Sequence, residues 1–180
     1  MSHLPVIAPG RTPERSIALA THEGTLIANY TTAPVLALDR RRLNRERAFV
    51  ERYEKRRNPI AGYNCFGLVF ALRRAAIERS SDVELVIKDD GYAPVDPGAE
   101  QIGDVVVYDA DDGPTHAALV VEIRTLVTLS GGRVPMVLSK FDDVSGEYVH
   151  AIENVEWSGI PIVGRRILRC RHAHPSIDLR

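Results

Sequence analysis

Between Gly103 and Cys170 the chain is a succession of short apolar runs, each closed by a turn signal, and few folds satisfy that pattern. Asp104–Tyr108, His116–Ile123, Val134–Phe141, Glu147–Ile152 and Gly164–Cys170 are strand-length stretches rich in Val, Ile, Leu and Tyr. Asp111-Asp112-Gly113-Pro114, Ser130-Gly131-Gly132, Asp142-Asp143 and Ser145-Gly146 interrupt them. The preceding half reads differently. Leu36, Leu43, Phe49, Val50 and Tyr53 recur at helical spacing from about Val35 to Arg57, with Pro34 suited to the first turn and Asn58-Pro59 to the end. A second helix is expected from Cys65 to Arg79, capped by Asn64 and stopped by Ser80-Ser81-Asp82. A strand at Val83–Ile87 and a loop from Lys88 to Glu100 follow. Helices first and strands after read as an α+β fold, with N-terminal helices packed on an antiparallel β-sheet.

The 180 residues suit one compact domain. The expected division is an N-terminal extension at 1–35, a domain at 36–172 and a C-terminal tail at 173–180. The extension is Pro- and Thr-rich, and Ser16–Ala20 and Thr25–Tyr30 around His22-Glu23-Gly24 read as an edge hairpin. No internal repeat is visible. No apolar run reaches the roughly 18 residues a membrane span needs, and the first residues lack the pattern of a signal peptide. The expected setting is therefore the cytoplasm, or export by a dedicated secretion system.

A formal net charge of −1 argues against an obligate nucleic-acid partner. One segment runs against that balance, with nine Lys/Arg and four Asp/Glu between Asp39 and Arg57. It supports either a docking surface for nucleic acid or an acidic partner, or a solvated helix face with internal ion pairs. The second reading is preferred, because no aromatic stacking pattern accompanies the charges.

Chemistry is concentrated at "YNCFGLVFALRR", which begins at Tyr63. A thiol at a helix N-terminus gains thiolate character from the helix N–H groups, and more from a neighbouring imidazolium. The other cysteine, Cys170, is too distant in sequence to suggest a disulfide framework. His116 opens a strongly apolar strand directly after an Asp/Gly/Pro turn, and His150 lies within another strand. The helix-borne thiol followed by a strand-borne imidazole makes Cys65 a candidate nucleophile and His116 its candidate base. Taken singly, each residue is more often packing than chemistry, and it is their order along the chain that favours the catalytic reading. Cys170, His172 and His174 alternate at a chain end and do not make a convincing metal site. Ser130-Gly131-Gly132 lacks the Lys and helix of a phosphate loop. No metal or cofactor is expected.

Asn64-Cys65-Phe66-Gly67-Leu68-Val69 resembles the D-C-x-G-[LF]-[VI] motif of the NlpC/P60 class of papain-like cysteine hydrolases. Gly103–Tyr108 resembles the G-D-[LV]-[VI]-x-[FY] strand of that class, and His116–Val121 its H-[VA]-[GA]-[IL]-[YV]-[LV] strand. VLSKFDDVSGEYVHAIENV is similar to a bacterial branch with N-C, T/S-H-A and S-K-[WLF]-G…H motifs. Together the likeness covers about Gly62 to Cys170. It implies a papain-like fold and an amide hydrolase, a peptidase or amidase, with Cys65 as nucleophile and His116 as base. A third polar residue would orient the imidazole. The motif following the base falls on Ser139-Lys140, whereas the VHA piece falls on His150, which is slightly favoured. The implied substrate is a peptide or a peptidoglycan-like peptide, in the cell wall or met by a delivered bacterial effector. An inhibitor or immunity partner is left undetermined, and no membrane partner is implied. Asn64 stands where the class has Asp, Phe66 where it has a small residue, and Asp142-Asp143 where the branch has Gly. Two readings from other classes stay open. One is a papain-like binding module without activity, and the other an accessory protein that binds nucleic acid or a partner through the helix at 40–57.

Overall fold

The computed structural model describes residues 13–32, 40–126, 132–143, 145–155 and 161–171. It is a mixed α/β structure built on an antiparallel sheet. β3 (Glu54–Arg57), β5 (Tyr92–Pro94), β6 (Val105–Ala110), β7 (Gly113–Thr125), β8 (Arg133–Lys140), β9 (Glu147–Ala151) and β10 (Gly164–Cys170) form it, in the spatial order β3-β9-β8-β7-β6-β10-β5. Every neighbouring pair is antiparallel. The five strands expected between Asp104 and Cys170 are all present, with ends displaced by a few residues. Their turns were legible because Gly and Asp supply conformations that strand residues avoid. Gly113, at φ 108°, follows the 111–112 turn directly.

The helices depart from expectation. α1 spans Arg40–Arg52, and the chain then joins the sheet edge as β3 instead of continuing helically to Arg57. All four residues of β3 are exposed, so no apolar alternation marks the strand. The exposed Arg47 and Arg52 fit a solvated helix face. The helix expected at Cys65–Arg79 is only α2 (Cys65–Phe70). Leu72 and Arg73 adopt positive φ of 49° and 65°, and the chain doubles back into β4 (Ala76–Ile77). Ser80-Ser81-Asp82 is the first turn of α3 (Ser80–Asp89), not a stop signal. The strand expected at Val83–Ile87 lies inside α3, whose Val83, Val86 and Ile87 are buried at helical spacing. The loop expected from Lys88 contains the end of α3 and the whole of β5.

Residues 13–32 pack against the elements that follow them. β1 (Pro13–Arg15), β2 (Asn29–Thr32) and β4 form a second, three-stranded sheet. Leu19 and Ile27 enter the apolar cluster that α2 and α3 share with the main sheet. At the hairpin tip, Thr21 and Thr25 hydroxyls donate to Asp89 Oδ2 at 3.0 and 2.8 Å. Burial of two apolar side chains and these tertiary bonds hold a segment whose composition suggests looseness.

The main sheet is apolar on both faces. Val105, Val107 and Ala117 pack with Cys65 and Phe66 of α2 and Val83 of α3 on one face. Val106, Tyr108, Ala118, Val120 and Val137 form a separate cluster on the other. No helix among the described residues is long and apolar enough to cross a membrane.

Candidate functional site

Asn64 organises the start of α2. In extended conformation at the N-cap, its Oδ1 accepts from the Gly67 N–H at 2.9 Å and the Ile77 N–H at 3.2 Å, while Nδ2 donates to the Ile77 carbonyl at 2.6 Å. One side chain thus caps the helix and ties it to β4. Gly67 permits the return of the chain, because a Cβ there would fall 1.9 Å from the Ala75 carbonyl oxygen. Cys65 is the first residue of this helix and is buried.

Burial pushes the Cys65 thiol up to about 11. The backbone N–H of Ala117, then those of Phe66 and Cys65 and the charge of Lys140, pull the other way without overcoming it. The sequence expectation of a thiolate favoured in the resting protein is corrected here. α2 has only six residues and the thiol is buried, so desolvation of the anion outweighs the helix N–H groups.

His116, Ser139 and His150 come together on one sheet face. The register pairs His116 with Tyr108, Ala118 with Ser139 and Val137 with His150, which turns these side chains the same way. His116 Nε2 lies 3.2 Å from Ser139 Oγ, and His150 Nε2 lies 2.8 Å from the same oxygen. His150 Nδ1 is 2.9 Å from the Ala151 carbonyl oxygen. All three side chains are buried. The Tyr53 and Phe141 rings pack on His150 at 5.4 and 5.7 Å, and Tyr108 packs beside His116 at 5.6 Å. Burial, with the nearby His150, pushes His116 down to about 3, and burial pushes His150 down to about 4. Both rings are therefore neutral near pH 7. His116, at the mouth of its strand, is an enclosed residue.

The thiol reaches this group only through the main chain. Its sulfur faces the N–H of Ala117, the residue after His116, while its side chain packs in the apolar cluster of the opposite sheet face. Ser139 and His150, alternatives for one role in the sequence, occupy successive positions in a single hydrogen-bonded row.

A second buried polar group escaped sequence reasoning. Lys140, facing away from Ser139, donates through Nζ to the Ile60 and Ser145 carbonyls at 2.7 and 2.5 Å and stands 4.7 Å above the Tyr63 ring. Tyr63 donates to Glu147 at 2.6 Å, and Arg73 grips the same carboxylate at 2.7 and 3.0 Å. Burial raises the Glu147 carboxyl, but the hydrogen bonds from Arg73 and Tyr63 and the charges of Arg73 and Arg57 hold it below the usual range. These contacts clamp the chain on both sides of α2. Charges embedded in the runs VLSK and GEYVH were the available signal, but the partners lie far away in sequence. Among the described residues no cluster of His, Cys, Asp and Glu could hold a metal ion. Cys170 is half-buried, and its thiol donates to the Asp90 carbonyl. His172 and His174 lie outside the described residues.

No protein-family model matches this chain, and neither a curated protein nor a solved structure gives a match.

Proposed function

We propose that the protein is a papain-like, cysteine-dependent amide hydrolase, a peptidase or amidase acting on peptide or peptidoglycan-like substrates, with Cys65 as nucleophile and His116 as base. The observation that carries the reading is the His116–Ser139–His150 row, which begins one residue before the N–H that faces the Cys65 sulfur. For His116 to take the thiol proton, its ring must leave the Ser139 row and turn to the α2 face, where a neutral imidazole accepts that proton as the sulfur attacks the amide carbonyl carbon. The N–H groups of Cys65 and Phe66 open α2 and can donate to the developing oxyanion. The leaving amine takes its proton from His116. Water, deprotonated by the same ring, then cleaves the thioester and restores the thiol. Because both groups rest uncharged, proton transfer accompanies attack rather than preceding it.

The test uses an activated ester, p-nitrophenyl acetate. A burst of nitrophenolate together with an acetyl adduct on Cys65, both absent in Cys65→Ala and strongly reduced in His116→Ala, is the expected result. A folded protein that leaves Cys65 unmodified refutes the reading. That outcome would favour the second reading, a papain-like binding module without chemistry, which draws its support from the burial of the thiol among apolar side chains.

A further inference from the structure

We infer that β3 is a docking edge for an extended acidic segment of a partner protein, which adds to the main sheet as one more strand. β3 closes one end of that sheet, and among the described residues no strand lies on its outer side. Its inner side pairs with β9, from Glu54 opposite Val149 to Arg57 opposite Glu147. Arg56 falls at the register shift and has no partner residue on β9. An edge strand directs a row of backbone N–H and C=O groups outward, which is a template for another strand. All four residues of β3 are exposed, so the edge is open to solvent.

The charges take their meaning from this edge. A helix continued through Arg57 would spread Lys55, Arg56 and Arg57 around its axis. On an edge strand the same cations stand beside one backbone row. Their counter-charge is partial. Arg56 pairs with Glu54 at 3.1 Å, but Glu54 is shared with Arg124 at 3.3 Å. Arg57 lies 3.8 Å from Glu147, a carboxylate that Arg73 already grips. Among the described residues Lys55 makes no ion pair. This positive surplus selects the occupant. A second copy docked edge to edge would set the cations of one β3 against those of the other, which like-charge pairing across strands opposes. An acidic strand meets them with opposite charge while its main chain completes the open hydrogen bonds. Nucleic acid would engage the charge and leave the backbone row unused.

The test measures binding, so it stands whether or not Cys65 acts as a nucleophile. The probe is a short fluorescein-labelled peptide of alternating Glu and Val, titrated with the full chain and read by anisotropy. Saturable binding that weakens as salt rises, with slowed amide exchange at residues 54–57, is the expected result. Lys55→Glu should weaken binding about tenfold, since reversal removes an attraction and adds a repulsion. Arg47→Glu, on the solvent face of α1, should change it by less than about twofold. Both positions are exposed, so the variants should fold as the parent does. The same peptide N-methylated at every residue keeps its charge but has no N–H to donate, and should not bind. Failure of the Glu/Val peptide to bind, equal binding of its N-methylated form, or a Lys55→Glu protein that binds like the parent overturns the inference. So does tighter binding of single-stranded oligothymidylate than of the peptide, or self-association of the parent that slows the same amides.

Discussion

Gly67→Ala tests the seat of Cys65. The new Cβ would lie 1.9 Å from the Ala75 oxygen, 3.0 Å from the Ala75 carbonyl carbon and 3.0 Å from Tyr63 Cβ. Ordinary contact begins near 3.4 Å, so α2 and the returning main chain must separate by more than an ångström. No flexible side-chain end is available to yield. Overpacking of this kind costs about 1–3 kcal/mol or more, and a backbone neighbour places it at the upper end. Helix propensity returns about 1 kcal/mol, since Ala is the better helix residue. The net loss is about 2 kcal/mol, or a fall in Tm of about 4–8 °C for a chain of this size. Gly132→Ala is the control, because its Cβ would meet Leu126 Cδ1 at an ordinary 3.7 Å. Its effect should stay within about 0.5 kcal/mol. Urea and thermal melts followed by circular dichroism read both variants. A Gly67→Ala protein that melts with the parent would refute the close approach of residue 75 to α2.

Asn64→Asp substitutes the residue usual in the resembled motif, yet it should destabilise this chain by about 1–3 kcal/mol at pH 7. The carboxylate cannot replace the Nδ2 donation to the Ile77 carbonyl and sets oxygen against oxygen at 2.6 Å. Acidification that protonates the carboxyl should reduce the deficit relative to the parent, and equal urea midpoints at pH 7 would contradict the expectation. The buried histidines predict an acid-sensitive fold. Their folded values near 3 and 4 lie below the unfolded value near 6.5, so the unfolded chain binds protons first. Their contribution is complete above about pH 6.5 and is lost as pH falls toward the folded values, with a slope of up to about 1.4 kcal/mol per pH unit for each ring. His116→Asn should flatten the dependence of the urea midpoint between pH 6.5 and 4.5, and an unchanged slope would rule out a buried neutral ring.

The five strands from Val105 onward were legible because their cause is local. Apolar runs of strand length alternate with Asp/Gly turns, and neither signal needs a partner to be read. Asn64 was legible as a cap for the same reason. Val83–Ile87 was not, since a short apolar run serves a strand and a buried helix equally, and only the sheet beneath α3 makes Val83, Val86 and Ile87 a helical stripe. The true end of α2 left no mark in composition. Leu72 and Arg73 take left-handed backbone because Glu147 grips Arg73 and Gly67 admits the Ala75 carbonyl.

The candidate site divides along the same line. Sequence picked out Cys65, His116, Ser139 and His150 by residue type, strand position and likeness to known motifs. It posed Ser139 and His150 as rivals because a chain read in one dimension has no register. Pairing Ser139 with Ala118 and His150 with Val137 turns rivals into neighbours. Charge state was hidden in the same way. A thiol at a helix start promises a thiolate, but burial against the sheet disfavours the anion. Strand pattern and turn chemistry belong to the sequence because they arise within a few residues. Hydrogen-bond order and protonation belong to the tertiary structure because they depend on what burial brings together and what it shuts out.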